Sequence, residues 1–93
     1  MPPTKKIRAV RVHRFGEDPR IDEIAAPARP ATGEILIDVS AVGVGAWDLG
    51  VAEGRLSQWL PSDGLPFTMG AELCGRIREI GAQVEGFRLG DRV

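Results

Sequence analysis

Glycine and proline interrupt this chain at short intervals, and no other feature of the sequence limits its folding as strongly. The 93 residues include 12 glycines and 7 prolines. In the last third, glycines at positions 70, 75, 81, 86 and 90 alternate with short apolar stretches. That rhythm is typical of short curved strands joined by tight turns. The chain is therefore expected to fold mainly as β-strands.

Two earlier segments show the side-chain alternation of strands. Apolar and basic residues alternate over residues 7–12, and residues 21–24 follow a turn, which predicts a hairpin. Residues 34–44 are the best strand candidate, because nearly all side chains on one of their faces are apolar. Between these two regions, prolines make residues 25–33 an irregular connection.

One short helix is expected at residues 46–53. Asp48 lies where a negative charge favours the helix N-terminus, and Gly54 can end the helix. Gly50 makes the helix weak. Residues 55–67 read as an irregular loop with more apolar content than a solvated linker needs.

The predicted fold class is mainly β, a small and partly open antiparallel barrel with one short helix. Residues 1–93 form one predicted domain. Residues 90–93 read as a turn that leads into a further strand, so the barrel is expected to be incomplete at its C-terminus.

Composition limits the classes of partner. The 12 basic and 13 acidic residues leave a net charge of −1, so we expect no nucleic-acid partner. No apolar run approaches the roughly 18 residues that a membrane span needs, and the start lacks the apolar stretch of a signal peptide. One cysteine, Cys74, cannot form an internal disulfide. These features predict a soluble protein of the cytoplasm, with no membrane partner.

A set of sequence anchors in fixed order resembles one family over nearly the whole chain. The anchors are Pro30, Gly33-Glu34-Ile35-Leu36-Ile37, Ala41-Val42-Gly43-Val44-Gly45-Ala46-Trp47-Asp48, Pro66-Phe67-Thr68-Met69-Gly70-Ala71-Glu72, Gly75, Gly81, Val84, Phe87 and Gly90-Asp91-Arg92-Val93. They resemble the N-terminal, GroES-like domain of the medium-chain dehydrogenase/reductases. Within that superfamily the chain is most similar to the zinc-independent quinone oxidoreductase branch.

The resemblance also bears on metal binding. Zinc-dependent alcohol dehydrogenases of this superfamily carry a cysteine ligand at the position of Gly45 and a histidine ligand at the position of Ala71. Neither residue offers a side-chain donor, and a catalytic zinc needs three protein ligands. Trp47 stands where those enzymes have a relay hydroxyl, and an indole cannot shuttle protons. We therefore expect no metal site. The chain also departs from the quinone oxidoreductase branch at Gly45 and Met69, which leaves the substrate open.

Six residues are candidates for the substrate cleft: Gly45, Trp47, Asp48, Trp59, Met69 and Glu72. Each has a simpler structural interpretation. Trp47 fits a core equally well, capping of the helix is the simpler role for Asp48, and Glu72 is expected to have a structural partner such as an arginine. Trp59, Leu60 and Phe67 form either a flap over the substrate or the lid of a small core.

Cofactor contacts are expected only in a longer protein, at Gly45 and Ala46. The turn at residues 43–48 resembles a dinucleotide-binding glycine loop, but Asp48 replaces the third glycine and no second parallel strand follows. His13 has no second histidine or acid cluster near it in the sequence and is expected to be a surface residue rather than a catalyst. Cys74 is expected to be a buried, unreactive thiol.

The resemblance implies the substrate-side domain of an NAD(P)H-dependent enzyme that reduces quinones or activated C=C and carbonyl compounds. The cofactor, NADPH or NADH, would be held by a Rossmann domain absent here, so the fragment is expected to bind none and to be inactive. Its partners would be a small-molecule substrate, that missing domain and a second copy through unpaired strand edges. The alternative is a free-standing GroES-like binding or assembly module without enzymatic activity.

Overall fold

The computed structural model describes residues 5–59 and 64–93. Its elements are β1 (Lys6–Val12), β2 (Arg20–Ala25), β3 (Ile35–Val42), α1 (Ala46–Glu53), a 3-10 helix (Ser57–Trp59), β4 (Phe67–Thr68) and β5 (Leu73–Ile80). They fall into two compact units. Unit 1 comprises Met1–Ala26 and Val44–Ala71, and unit 2 comprises Pro27–Gly43 and Glu72–Val93.

Unit 1 is built on an antiparallel sheet in the order β2-β1-β4. The predicted hairpin is present, and its register pairs Ile7 with Ile24 and Val10 with Ile21. Val12, at the end of β1, is completely buried. Val51 and Ala52 of α1 are also buried, so a small apolar core forms from one strand end and one helix face.

The helix α1 has the bounds that the sequence predicts, because both of its ends are set locally. Gly45 is its N-cap and Gly54 its C-cap. Gly54 has a φ of 85°, in the left-handed region, and its N–H donates to the carbonyl of Val51 at 3.1 Å. This is the glycine helix ending expected of a C-terminal cap. The backbone N–H of Gly16 donates to the carbonyl of Ala52 at 3.0 Å and ties the turn after β1 to the helix.

Unit 2 is built around β5. On one edge β5 pairs antiparallel with β3, with one register shift between Leu36 and Ile37 and another between Val39 and Ala41. On its other edge, Gly75 and Val93 exchange two backbone hydrogen bonds of 3.0 and 2.9 Å. The strand β5 is therefore central, and Ile77 at its middle is buried. The outer edge of β3 has no partner strand among the described residues.

The expectation of several short strands in the last third was wrong in detail. A single eight-residue strand runs through Gly75, and residues 81–89 form turns and irregular chain. The strand β5 continues through Gly75. A side chain at this position would overlap the carbonyl oxygen of Asp38 on β3, so only glycine fits there. The glycine serves a close approach of two backbones.

The fold class agrees with the sequence prediction. The described part of the chain is mainly β, with one α-helix, and its sheets are open rather than closed into a barrel. Within residues 5–59 and 64–93, no helix combines the length and apolar character that a bilayer crossing demands.

Candidate functional site

A pocket of about 230 Å³ lies within unit 1, where α1, the 3-10 helix and β4 meet. Its described lining is dominated by aromatic and aliphatic side chains. The lining residues are Trp47, Asp48, Val51, Leu56, Trp59, Phe67 and Gly70. A concave, mainly apolar surface with one polar group is the usual form of a small-molecule site.

Local chain geometry brings these residues together. Trp47 and Val51 are four residues apart on α1, and this spacing places them on one helix face. The left-handed conformation of Gly54 ends α1 and reverses the chain direction. Leu56 and the 3-10 helix follow this turn and line the same pocket as α1. On the opposite side, the guanidinium of Arg11 donates to the carbonyl of Pro66 at 2.9 Å and anchors the segment before β4.

The two indole rings are open to solvent. Trp47 is 57% exposed and Trp59 is 68% exposed, whereas Val51 is 6% exposed. Val51 thus belongs to the core beneath the pocket, and the tryptophans stand at its rim. Large apolar side chains at such exposure remain available to a ligand or a partner.

Asp48 is the single ionisable residue in the described lining. Its Oδ2 accepts a hydrogen bond from the backbone N–H of Gly45 at 2.8 Å. In a capping box, the side chain of the third helical residue accepts a hydrogen bond from the backbone N–H of the N-cap residue. The bond between Asp48 and Gly45 has this form. The capping role expected of Asp48 is therefore present, and one carboxylate oxygen is committed to it.

The six predicted cleft residues divide into two groups. Trp47, Asp48 and Trp59 line the pocket, and Gly45 is the N-cap of the helix that carries two of them. Met69 is outside the described lining. Its backbone N–H donates to the carbonyl of Val10 at 2.9 Å and extends the pairing of β4 with β1. Glu72 belongs to unit 2.

The arginine partner expected for Glu72 is not found in the described part of the chain. Glu72 is exposed, and its carboxylate lies over Gly43, where an added Cβ would overlap it. The backbone N–H of Gly43 also donates to the carbonyl of Glu72 at 3.2 Å. Because Glu72 is exposed, its carboxylate is open to solvent and needs no cationic side chain beside it.

The expectation for Cys74 was wrong, because Cys74 is exposed rather than buried. The side chain of His13 is 29% exposed, and its Nε2 is hydrogen-bonded to Asp22 Oδ2 at 2.5 Å. Asp22 lies on the adjacent strand β2, and cross-strand proximity cannot be read from the local pattern around His13.

Sequence reasoning did not select Val51, Leu56 and Gly70 as site residues, and it treated Phe67 only as part of a flap or lid. The spacing of Val51 from Trp47 on the predicted helix was the available signal for that residue. Leu60, the third residue of the proposed flap, lies outside the described residues.

The residues at the expected zinc positions do not fit a metal. Gly45 and Ala71 carry no side-chain donor atom. Among residues 5–59 and 64–93, no group of three or more histidine, cysteine, aspartate or glutamate side chains is arranged to hold a metal ion. Position 45 has room for a larger residue than glycine, because a Cβ there would meet no atom within 4 Å.

Comparison with known proteins identifies the family. Residues 31–93 match the family model of the alcohol dehydrogenase GroES-like domain. An NAD-dependent alcohol dehydrogenase of Sulfolobus acidocaldarius is 35% identical over 91 residues, which are 94% of this chain and 26% of that protein. A quinone oxidoreductase of Rattus norvegicus is 34% identical over 93 residues, which are 96% of this chain and 27% of that protein.

The fold is also found in solved structures. The crystal structure of Escherichia coli quinone oxidoreductase complexed with NADPH superposes with a TM-score of 0.80 at 28% identity, covering 92% of this chain and 26% of that one. The chain thus spans about a quarter of the length of the relatives it matches. The family model covers more than half of the chain, and the chain belongs to the alcohol dehydrogenase GroES-like domain family of the medium-chain dehydrogenase/reductases.

Proposed function

We propose that this chain is the substrate-side domain of a zinc-independent, NAD(P)H-dependent oxidoreductase that reduces quinones or activated C=C and carbonyl compounds. The chain alone is inactive, because its relatives are about four times as long and the cofactor domain lies in the part that it does not cover. Its single, exposed cysteine fits the reducing cytoplasm.

The observation that carries the proposal is the chemistry at positions 45 and 71. The similarity of the whole chain does not separate the branches, since the alcohol dehydrogenase and the quinone oxidoreductase are 35% and 34% identical to it. Glycine and alanine at two of the three ligand positions favour the zinc-independent branch, because a zinc ion held by one protein ligand would not stay bound. No step of the proposed reaction therefore passes through a metal.

The chain's own residues orient a substrate and exclude water. A nicotinamide cofactor, when bound by the second domain, supplies the hydride. On the substrate side, Trp47, Trp59 and Phe67 provide apolar contact area, and Val51 closes the base of the pocket. Asp48 holds the start of α1 through Gly45, which fixes the position of Trp47 in the same first turn of the helix.

Zinc binding is the direct test of the branch. The chain is titrated with zinc by calorimetry, alongside a Gly45→Cys/Ala71→His double variant as the positive control. We expect the unmodified chain to show no binding tighter than about millimolar, and the double variant to gain affinity, because it restores two donors where position 45 has open space. Tight zinc binding by the unmodified chain would refute the proposal.

Cofactor binding and turnover form the second test. The chain alone is expected to show no calorimetric binding of NADPH and no oxidation of NADPH by benzoquinone above the rate measured without protein. The longer polypeptide that includes the cofactor domain is expected to oxidise NADPH with benzoquinone at a rate unchanged by the chelator EDTA. Micromolar NADPH affinity in the chain alone, or loss of turnover in EDTA, contradicts the proposal.

The free-standing assembly module is the competing function, and no particular observation favours it. The two are distinguished by mass in solution. We propose a homodimer through the free edge of β3, whose residues Val39 and Val42 are more than half exposed. A discrete ring of many subunits in light scattering would support the assembly module, and a strict monomer at high concentration would exclude the dimer.

A further inference from the structure

We infer that the pocket at the helix start selects neutral, planar ring compounds of one or two fused rings, held against the indoles of Trp47 and Trp59. As a statement about substrates, this inference rests on the proposed function, because it says which quinones or conjugated carbonyls the enzyme reduces. The binding preference rests only on the pocket. Four observations lead to it: size, aromatic content, charge and exposure.

The volume limits the ligand. An apolar cavity of about 150 Å³ accommodates one benzene ring. At about 230 Å³ this pocket has room for a substituted single ring or for two fused rings.

The lining determines the shape of the ligand. Three of the seven described lining residues are aromatic, namely Trp47, Trp59 and Phe67. Aromatic rings pack best against another flat ring, stacked with an offset or edge to face, and such pairs gain more than buried area alone provides. A puckered saturated ring of equal size can make the apolar contact but not the ring-to-ring geometry.

Charge determines the class of substituent. The only ionisable side chain in the described lining is Asp48, and its Oδ2 already accepts the N–H of Gly45. A ligand carboxylate would meet a like charge there and no cation among the lining residues, so anionic compounds are disfavoured. A neutral carbonyl or quinone faces no such repulsion.

Exposure shows that the two tryptophans are not held in place by the core. At 57% and 68% exposure they contribute little to the buried core of Val12, Val51 and Ala52. Substituting them is therefore expected to leave the fold intact, which makes the proposal testable by mutation. These two are also the only tryptophans in the sequence, so every indole signal of the protein comes from the pocket rim.

The test is a titration of the chain followed by the two indole N–H signals in a proton–nitrogen NMR correlation spectrum. The probes are naphthol, its saturated and puckered counterpart decahydronaphthol, and the anionic naphthoate. Naphthol is not reduced by a nicotinamide, so binding is measured apart from any reaction. We expect naphthol to shift both indole signals with a dissociation constant of about 1 mM or tighter.

Decahydronaphthol and naphthoate are each expected to bind about tenfold more weakly than naphthol. Trp47→Leu and Trp59→Leu should each weaken naphthol binding about 3- to 10-fold, measured by calorimetry, whereas Trp47→Phe and Trp59→Phe should retain most of it. Leu89→Ala is the matched control, because Leu89 is 67% exposed but lies in unit 2. Its naphthol binding should equal that of the unmodified chain.

Equal affinity for naphthol and decahydronaphthol, or naphthol shifts that spare both indole signals, would overturn the inference. Equal losses in the Leu and Phe variants would also overturn it, because planarity would then be irrelevant. Failure of the proposed function looks different. In that case naphthol still binds with the stated preference, while the longer polypeptide does not oxidise NADPH with naphthoquinone.

Discussion

The two compact units keep their strands in register by different means. In unit 1, side chains on neighbouring strands interact: Asp22 on β2 contacts both His13, at 2.5 Å, and Arg11, at 4.0 Å. In unit 2, backbones come close because two positions have no side chain. A Cβ at Gly75 would overlap the carbonyl oxygen of Asp38, and a Cβ at Gly81 would overlap that of Ala31.

This difference separates the part of the chain that can vary from the part that cannot. Side-chain contacts between partly exposed groups can be replaced one at a time at modest cost. A backbone approach fails as soon as any side chain is added, since neither main chain can move without disturbing its hydrogen bonds. The pocket, with its exposed tryptophans, is in the unit that tolerates change. The lining of the pocket can therefore vary while the backbone contacts of unit 2 stay fixed.

The largest expected effect is that of Gly75→Ala. The added methyl group overlaps the β3 backbone, so we expect a loss of about 3 kcal/mol or more in the free energy of unfolding. Urea denaturation followed by circular dichroism measures it. Gly45→Ala is the matched control in unit 1, where a Cβ meets nothing within 4 Å, and should cost only about 0.5 kcal/mol. Similar losses in the two variants would break the comparison between the units.

Gly75 also shows how far the sequence could be interpreted. The helix α1 was predicted with its observed bounds, because Gly45, Asp48 and Gly54 act within the helix itself. The strand β5 was predicted as broken, since the reason for Gly75 lies on another strand. Local signals were sufficient where the interaction spans a few residues, and they failed where it crosses the sheet.

The candidate site follows the same rule. Trp47 and Asp48 were identified from the turn and helix that carry them, and both line the pocket. Leu56 was missed because only the turn at Gly54 brings it back to the helix. The exposure of Cys74 and the absence of an arginine beside Glu72 likewise depend on which elements lie opposite, and a single sequence does not encode that in any local pattern.

An intermediate effect is expected for Asp22→Ala in unit 1. The side chains of Asp22 and His13 are 23% and 29% exposed, so their hydrogen bond is partly shielded from water. Its loss also leaves Arg11 without the acidic neighbour, and we expect a decrease of about 1 to 2 kcal/mol in the free energy of unfolding. A double-mutant cycle with His13→Ala, measured by urea denaturation, should give a coupling of about 1 kcal/mol. Strictly additive losses would show that the contact does not stabilise unit 1.

The smallest effect is expected for Arg78→Ala in unit 2, which removes the ion pair between Arg78 and Asp38. The atoms are 3.3 Å apart, but the side chains are 49% and 65% exposed. Solvent screening and side-chain entropy leave such a pair about 0 to 0.5 kcal/mol, and added salt should remove even that. The same urea titration, at low and high salt, measures it. A loss as large as that of Asp22→Ala would mean that unit 2 also depends on its side-chain pairs, because the glycine contacts alone would then not hold β3 against β5.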